Sequence, residues 1–380
     1  MLWTPLVPIL AARYDHLAAV SYGSDHVMIA GGVGVGGART DVLMLTPPDE
    51  CKVWDVVHLP ESLSDAAAYG DFVFGGKNGT GHVSPAVLQE FSVPDTHMVL
   101  DKGGRWGHRV VGHADDTAWP ALVLFGKTGQ GQFAGADDVL ECSPGTGCKP
   151  FPTTGDAPSP RMWTAATRAG DSIYVVGGLT DDGPDNGFWR LDLASGAWEI
   201  LDACAQGDTE GACAVRSGHN LIACPAAWGL DADRLIMFGG ELASGDGSSG
   251  LFTWERASGW TAVSGDDDAA VWPDGRLGAT LSVLSKDQAI LAGGKQGWTS
   301  KTTILADTYS LALGDLCDPN PGGEKKPRPD KKEDNVTLIV MAVGITLGLS
   351  LIVGGIMLHR RLAAKREPVP EGILYGELGE

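Results

Sequence analysis

Short apolar runs that stop at paired glycines recur along the chain. Val27–Ala30 stops at Gly31 and Gly32, Phe72–Phe74 at Gly75 and Gly76, and Ile173–Val176 at Gly177 and Gly178. Leu235–Phe238 meets Gly239 and Gly240, and Ala289–Ala292 meets Gly293 and Gly294. Leu122–Phe125 meets Gly126 followed by Lys127, a copy read as lacking its second glycine. Beyond each run the pattern changes to alternation. In Phe188–Leu193, Trp189, Leu191 and Leu193 alternate with Arg190 and Asp192. Period-two alternation is a strand signal, because successive side chains on a strand point to opposite faces. Similar strands are predicted at Val42–Leu45, Val87–Phe91, Val139–Cys142, Leu251–Trp254 and Thr308–Leu313.

The runs recur about every 50 residues, six times over. A further strand is predicted upstream of each, opened by Arg13, Arg109, Arg161, Arg216 or Arg276, with Leu63-Ser64-Asp65 in the second unit. A last strand carries Trp54, Trp198 or Trp260. Four short strands per unit at this period predict an all-β fold, a six-bladed β-propeller. The sixth unit reaches Leu313 and then meets Cys317-Asp318-Pro319, with no fourth strand of its own. Other units hand over from a Trp to the next Arg, and Trp3 stands in that relation to Arg13. Trp3 is therefore predicted to lie in the outer strand of blade six, so that the N-terminal strand closes an otherwise open sheet edge. The rival reading of Leu2–Ala12 as a signal-peptide remnant is disfavoured by two prolines and no basic start.

The glycine doublet after an apolar strand, the aromatic-bearing strand after it and the Trp of the last strand resemble the Kelch-repeat family. The resemblance covers about residues 3–315 and implies four-stranded antiparallel blades about a central axis. It also implies a scaffold that hosts some enzymes, among them copper oxidases using two His and two Tyr, and sugar epimerases. Tyr14, Tyr22, Tyr69, Tyr174 and Tyr309 do not read as such a ligand set, and the nine histidines do not cluster. No nucleophile elbow, phosphate loop or paired-acid motif is present. No catalytic, cofactor-binding or metal residues are assigned from the sequence.

The pattern changes again after the repeats. Residues 316–335 are Pro-rich and charged, a stalk. Residues 336–358 carry no charge over 23 positions, which predicts one C-terminal transmembrane helix. Residues 359–380 form a short tail opened by Arg360 and Arg361. Gly344 and Gly348 make a GxxxG pattern that would permit a homodimer. Tyr375 and Leu378 resemble a YxxΦ sorting signal.

Charge then narrows the partners. Nine basic and eight acidic residues follow Gly323, leaving 19 and 40 before it, a net of −21. Such a field repels phosphate backbones, so nucleic acid is excluded as a partner. Aspartates gather in the predicted loops at Asp137, Asp138, Asp181, Asp182, Asp185, Asp246 and 266–268, without EF-hand spacing. Cys142 and Cys148, and Cys204 and Cys213, are close pairs in Gly-rich stretches and predict loop-clipping disulfides in an oxidising compartment. A bridge between Cys51 and Cys317 at the closure is disfavoured, because the outer edges of adjacent blades stand far apart for disulfide geometry. Asn78-Gly79-Thr80 is a glycosylation sequon.

The expectation is a single-pass membrane protein. Its propeller, domain 1–315, would be extracellular or luminal and bind a protein or glycan through its loop face, with the tail cytoplasmic. The alternatives are a carbohydrate-active enzyme on the same scaffold and a cytosol-facing, tail-anchored scaffold.

Overall fold

The computed structural model describes residues 2–318 apart from 21–25, 48–49, 90–92, 101–102, 113–119, 202–210, 226–233, 265–270 and 299–301. The span 336–358, the GxxxG pair, Tyr375, Leu378 and Cys204 lie outside the described residues. Among the described residues no helix is long and apolar enough to cross a membrane.

Six antiparallel sheets make six blades. Blade one holds Leu17–Ala19, Val27–Ala30, Asp41–Thr46 and Glu50–His58. Blade two holds Ala67–Tyr69, Phe72–Phe74, Ala86–Gln89 and Val93–Val99. Blade three holds Arg109–Val111, Ala121–Leu124, Leu140–Ser143 and Gly147–Pro150. Blade four holds Ala165–Ala169, Ser172–Thr180, Gly183–Asp192 and Ala197–Ile200, with Thr154–Gly155 added in parallel at its edge. Blade five holds Asn220–Ala223, Arg234–Phe238, Leu251–Glu255 and Gly259–Ala262. Blade six holds Thr280–Ser285, Gln288–Ala292 and Thr308–Ala312, and its fourth strand is Trp3–Pro5. The N-terminal closure expected at Trp3 is thus formed.

Six apolar clusters lie at the six seams between blades, which explains the continuous apolar runs. Val27 and Ile29 enter the seam between blades six and one, while Met28 and Ala30 enter the seam between one and two. A second strand with a neighbour on each side must be apolar on both faces, so the period-two signal disappears there.

A buried arginine locks the turn in five of the six blades, blade two being the exception. The guanidinium Nη1 of Arg13, Arg161, Arg216 and Arg276 donates to the carbonyl of Gly31, Gly177, Gly239 and Gly293 respectively, at 2.8–3.1 Å. Asp41, Asp185 and Asp307 pair with three of these arginines. A charge can be buried this way because its donors are matched by fixed acceptors. Two sequence expectations for blade three are corrected here. The equivalent arginine is Arg105, which donates to the carbonyl of Phe125 at 3.3 Å, and not Arg109. Phe125, with φ 57°, stands where the first glycine stands elsewhere, so Gly126 is the second glycine of its pair.

Two disulfides join described residues. Cys142–Cys148 closes the outer hairpin of blade three, where the two face each other in register. Cys213 is disulfide-bonded, and its expected partner Cys204 lies outside the described residues. Cys317 bonds Cys224, with Cα atoms 5.6 Å apart, and is thus not paired with Cys51. The reason is topological. The third strand of blade six leads through the short helix Gly314–Cys317 to the end of blade five's inner strand, where Cys224 sits. Arg234 Nη1 donates to the carbonyls of Leu316 (3.0 Å) and Asp318 (2.8 Å), holding the same junction.

Candidate functional site at the axial mouth

The inner strands begin at one face of the propeller, the face that also carries the glycine loops and the links between blades. Just before each inner strand sits one residue with positive φ: Asp15 (50°), Asp65 (54°), Gly107 (64°), Trp163 (51°), Gly218 (64°) and Gly278 (62°). Their backbones form a closed ring. Asp65 N–H donates to Asp15 O, Gly107 to Asp65, Trp163 to Gly107, Gly218 to Trp163, Gly278 to Gly218, and Asp15 back to Gly278, at 2.8–3.1 Å. Each blade donates to the one before it.

Glycine is the natural occupant of this left-handed position. Aspartate tolerates it through its short polar side chain, and a tryptophan there is an outlier. Asp15 and Trp163 find room because the ring residue before each is a glycine. A Cβ on Gly278 would lie 2.4 Å from Asp15 Oδ1, and a Cβ on Gly107 would lie 3.2 Å from the Trp163 indole.

Around the ring the non-glycine residues build two clusters of the same design. In the first, Asp65 accepts from Trp163 Nε1 (2.8 Å) and pairs with Lys77 (3.1 Å). The Lys77 ammonium lies 3.9 Å from the centre of the Trp106 ring, which meets Trp163 edge-on. In the second, Lys295 lies over Tyr14 at 4.0 Å and over Trp298. Trp298 Nε1 donates to Glu241 at 3.1 Å, and its backbone N–H to Gly245 O. Both lysines follow a Gly-Gly pair, and both stack on the aromatic residue that precedes the ring position of the next blade, Trp106 or Tyr14.

The electrostatics of the second cluster are strained. Lys295 is 1% exposed, and its ammonium has no hydrogen-bond acceptor among the described residues. Burial pushes its pKa down to about 8, against the pull of Asp15, Glu241 and Asp65. Burial and the Asp65 charge hold the Asp15 carboxyl well above the usual carboxylate range. Burial also raises Glu241 and Tyr14. Trp298 is 55% exposed. The mouth therefore presents the exposed Trp298 face over the buried Lys295 ammonium, and the half-buried Lys77 beside Trp106, an aromatic surface of the kind that holds ligands with apolar ring faces.

The residues singled out in the sequence fall elsewhere. The anchor glycines shape the turns behind the mouth. Asp185 serves Arg161, and the Asp138 carboxylate accepts from the Gly135 N–H at 3.3 Å. The Asp266–Asp268 run lies outside the described residues. No group of His, Cys, Asp or Glu able to hold a metal occurs among the described residues. Asn78 is half-buried, donating to Glu61 (3.0 Å) and accepting from Thr80 Oγ1 (2.7 Å). Asp15, Asp65, Lys77, Lys295, Trp106, Trp163 and Trp298 were not singled out. The register Arg-x-Gly-His, seen at Arg105–His108 and Arg216–His219, marks the ring position and points to the residues that replace its glycine.

No family model matches the chain. Two curated plant proteins share stretches with it, both described as tRNA wybutosine-synthesizing protein 2/3/4. The one from Arabidopsis thaliana is 30% identical over 123 residues, 31% of this chain and 12% of its own length. The one from Oryza sativa subsp. japonica is 30% identical over 200 residues, 52% of this chain and 17% of its own length. The chain thus spans under a fifth of these relatives. A solved structure described as YjhT superposes with a TM-score of 0.57 at 17% identity, covering 82% of this chain and 98% of that one. At that identity the likeness extends to the fold alone.

Proposed function

We propose that the propeller is a binding module that takes a glycan or protein at its axial mouth, held on a single-pass membrane anchor formed by residues 336–358. The observation that carries this is the pair of acid/Lys/aromatic clusters around the ring. Trp163 stands in a backbone conformation that glycine would adopt without strain, and such strain collects where a side chain is needed for recognition. The 55%-exposed Trp298 gives an incoming ring or apolar side chain a face to stack on. The disulfides at Cys142–Cys148 and Cys224–Cys317 fit an oxidising compartment, hence a propeller outside the cytosol, where Asn78 would be open to glycosylation before its loop folds. The tail motif at Tyr375 and Leu378 would then face cytosolic sorting adaptors, and Gly344 with Gly348 would pair two anchors.

The test uses the full-length protein on a glycan array and in a proximity screen on intact cells. Trp298→Ala and Trp163→Gly should each weaken the captured ligand about tenfold, some 1.4 kcal/mol. Unchanged binding in both variants would remove the mouth from the reading. Protease treatment of intact cells should digest the propeller; full protection would place it on the other side of the membrane.

A further inference from the structure

Directly beneath the hydrogen-bonded ring lies a cavity of about 180 Å³ on the axis, walled by the first residues of all six inner strands. Small side chains keep it open: Ala18, Ala66, Ala67, Ala68, Ala165 and Ala166. Two places after the ring position the six blades carry Leu17, Ala67, Arg109, Ala165, Asn220 and Thr280. Arg109 is the single cationic side chain of that wall.

The guanidinium is held in place by backbone from two other blades. Nε donates to Thr164 O at 2.7 Å and Nη2 to His219 O at 3.4 Å. Nη1 has no acceptor among the described residues. The two imidazoles lining the cavity, His16 and His219, are held uncharged by burial beside arginine. His16 Nε2 lies 3.0 Å from Thr280 Oγ1. Asn220 Oδ1 accepts from Leu281 N–H at 3.0 Å, which leaves its amide donors for another partner. Asp15 and Asp65 act on the Arg109 charge from the ring level, but neither lines the cavity nor bonds the guanidinium.

A cation held in a small cavity with a free edge of its donor fork needs a counter-charge there. We infer that this cavity is a binding site for a small carboxylate anion, gripped by Arg109 and completed by the neutral donors Asn220, Thr280 and Ser282. A monoanion fits better than a dianion, because one arginine supplies one charge and the acidic side chains of Asp15 and Asp65 stand at the ring above. The planar fork favours a planar carboxylate. The site is separate from the aromatic mouth, and its test does not depend on the ligand proposed there.

The experiment follows thermal unfolding of the full-length protein at constant ionic strength against sodium acetate, pyruvate, phosphate and chloride. A ligand that binds only the folded state raises the midpoint saturably. Acetate or pyruvate should do so, and chloride should not. Arg109→Gln should weaken the response at least tenfold. Ala67→Leu, which fills the cavity and leaves Arg109 in place, should do the same and decides the matter if Arg109→Gln fails to fold. A response to phosphate alone, no saturable carboxylate response, or one unchanged in Ala67→Leu would overturn the inference.

Discussion

Trp3 lies directly opposite Leu311 in the antiparallel pairing that completes blade six. Its ring packs 5.2 Å from Phe238, a residue of blade five, so one side chain ties the first strand of the chain to two late blades. Trp3 is 1% exposed. Trp3→Ala should cost about 3–5 kcal/mol. Chemical denaturation should show the loss in full. Removal of residues 1–6 should cost more, because the blade-six edge is then unpaired.

The two defined disulfides should differ in weight. Cys224–Cys317 closes a separation of 93 residues and Cys142–Cys148 one of six. Chain entropy assigns the first about 4–5 kcal/mol and the second less. Cys224→Ser with Cys317→Ser should therefore lower the unfolding midpoint far more than the Cys142/Cys148 double variant. Non-reducing peptide mapping should recover a Cys224–Cys317 peptide and none joining Cys51 to Cys317.

The ring position should reject side chains where its neighbour already fills the space. Gly278→Ala combines φ +62° with a contact of 2.4 Å to Asp15 Oδ1. It should destabilise by about 1–3 kcal/mol. Adding Asp15→Gly to it should restore part of the loss in a double-mutant cycle; strict additivity would mean the two sites do not meet.

Acid should weaken the fold well above the carboxylate range. His16 and His108 are buried with pKa values lowered to about 3, and His219 is held well below the ordinary imidazole range, burial being the main cause in each. Each binds fewer protons folded than unfolded between pH 6.5 and about 3. The stability they contribute is full above the unfolded pKa and drains as pH falls. Between pH 7.5 and 5.5 each should lose on the order of 1 kcal/mol. Asp15, with its folded pKa raised, works in the opposite sense, one carboxyl against three imidazoles. Urea midpoints should fall from pH 7.5 to 5.5, and His16→Gln should remove about a third of the difference.

The blades could be read from the sequence because each buries the same run in two seams, and the Gly-Gly stop repeats whatever surrounds it. The closure was readable for a related reason: a unit without a fourth strand implies a donor elsewhere, and Trp3 was the remaining candidate. Arg109 misled the reading of blade three. It stands four residues after Arg105, and only the register of the hydrogen bonds to Phe125 O separates the buried anchor from the arginine of the axis. The Cys224–Cys317 bond could not be read, since residues far apart in sequence meet only once blades five and six are stacked. The mouth clusters were hidden similarly. Lys77 meets Trp106, and Lys295 meets Tyr14, across blade boundaries.

The ring of six backbone hydrogen bonds bears on how this architecture can change over generations. Most repeat arrays grow or shrink by whole units, because each unit meets only its neighbours and the ends are capped separately. Here every ring residue is donor to one blade and acceptor from the other, and the circuit passes through the junction made by Trp3–Pro5. Loss of one unit would leave an unmatched donor on one side of the gap and an unmatched carbonyl on the other. Duplication would force a seventh peptide into a circle closed by six. Blade number is thus the property this chain is least free to vary, while the side chains standing on the ring, Asp15, Asp65 and Trp163, can be exchanged without opening it.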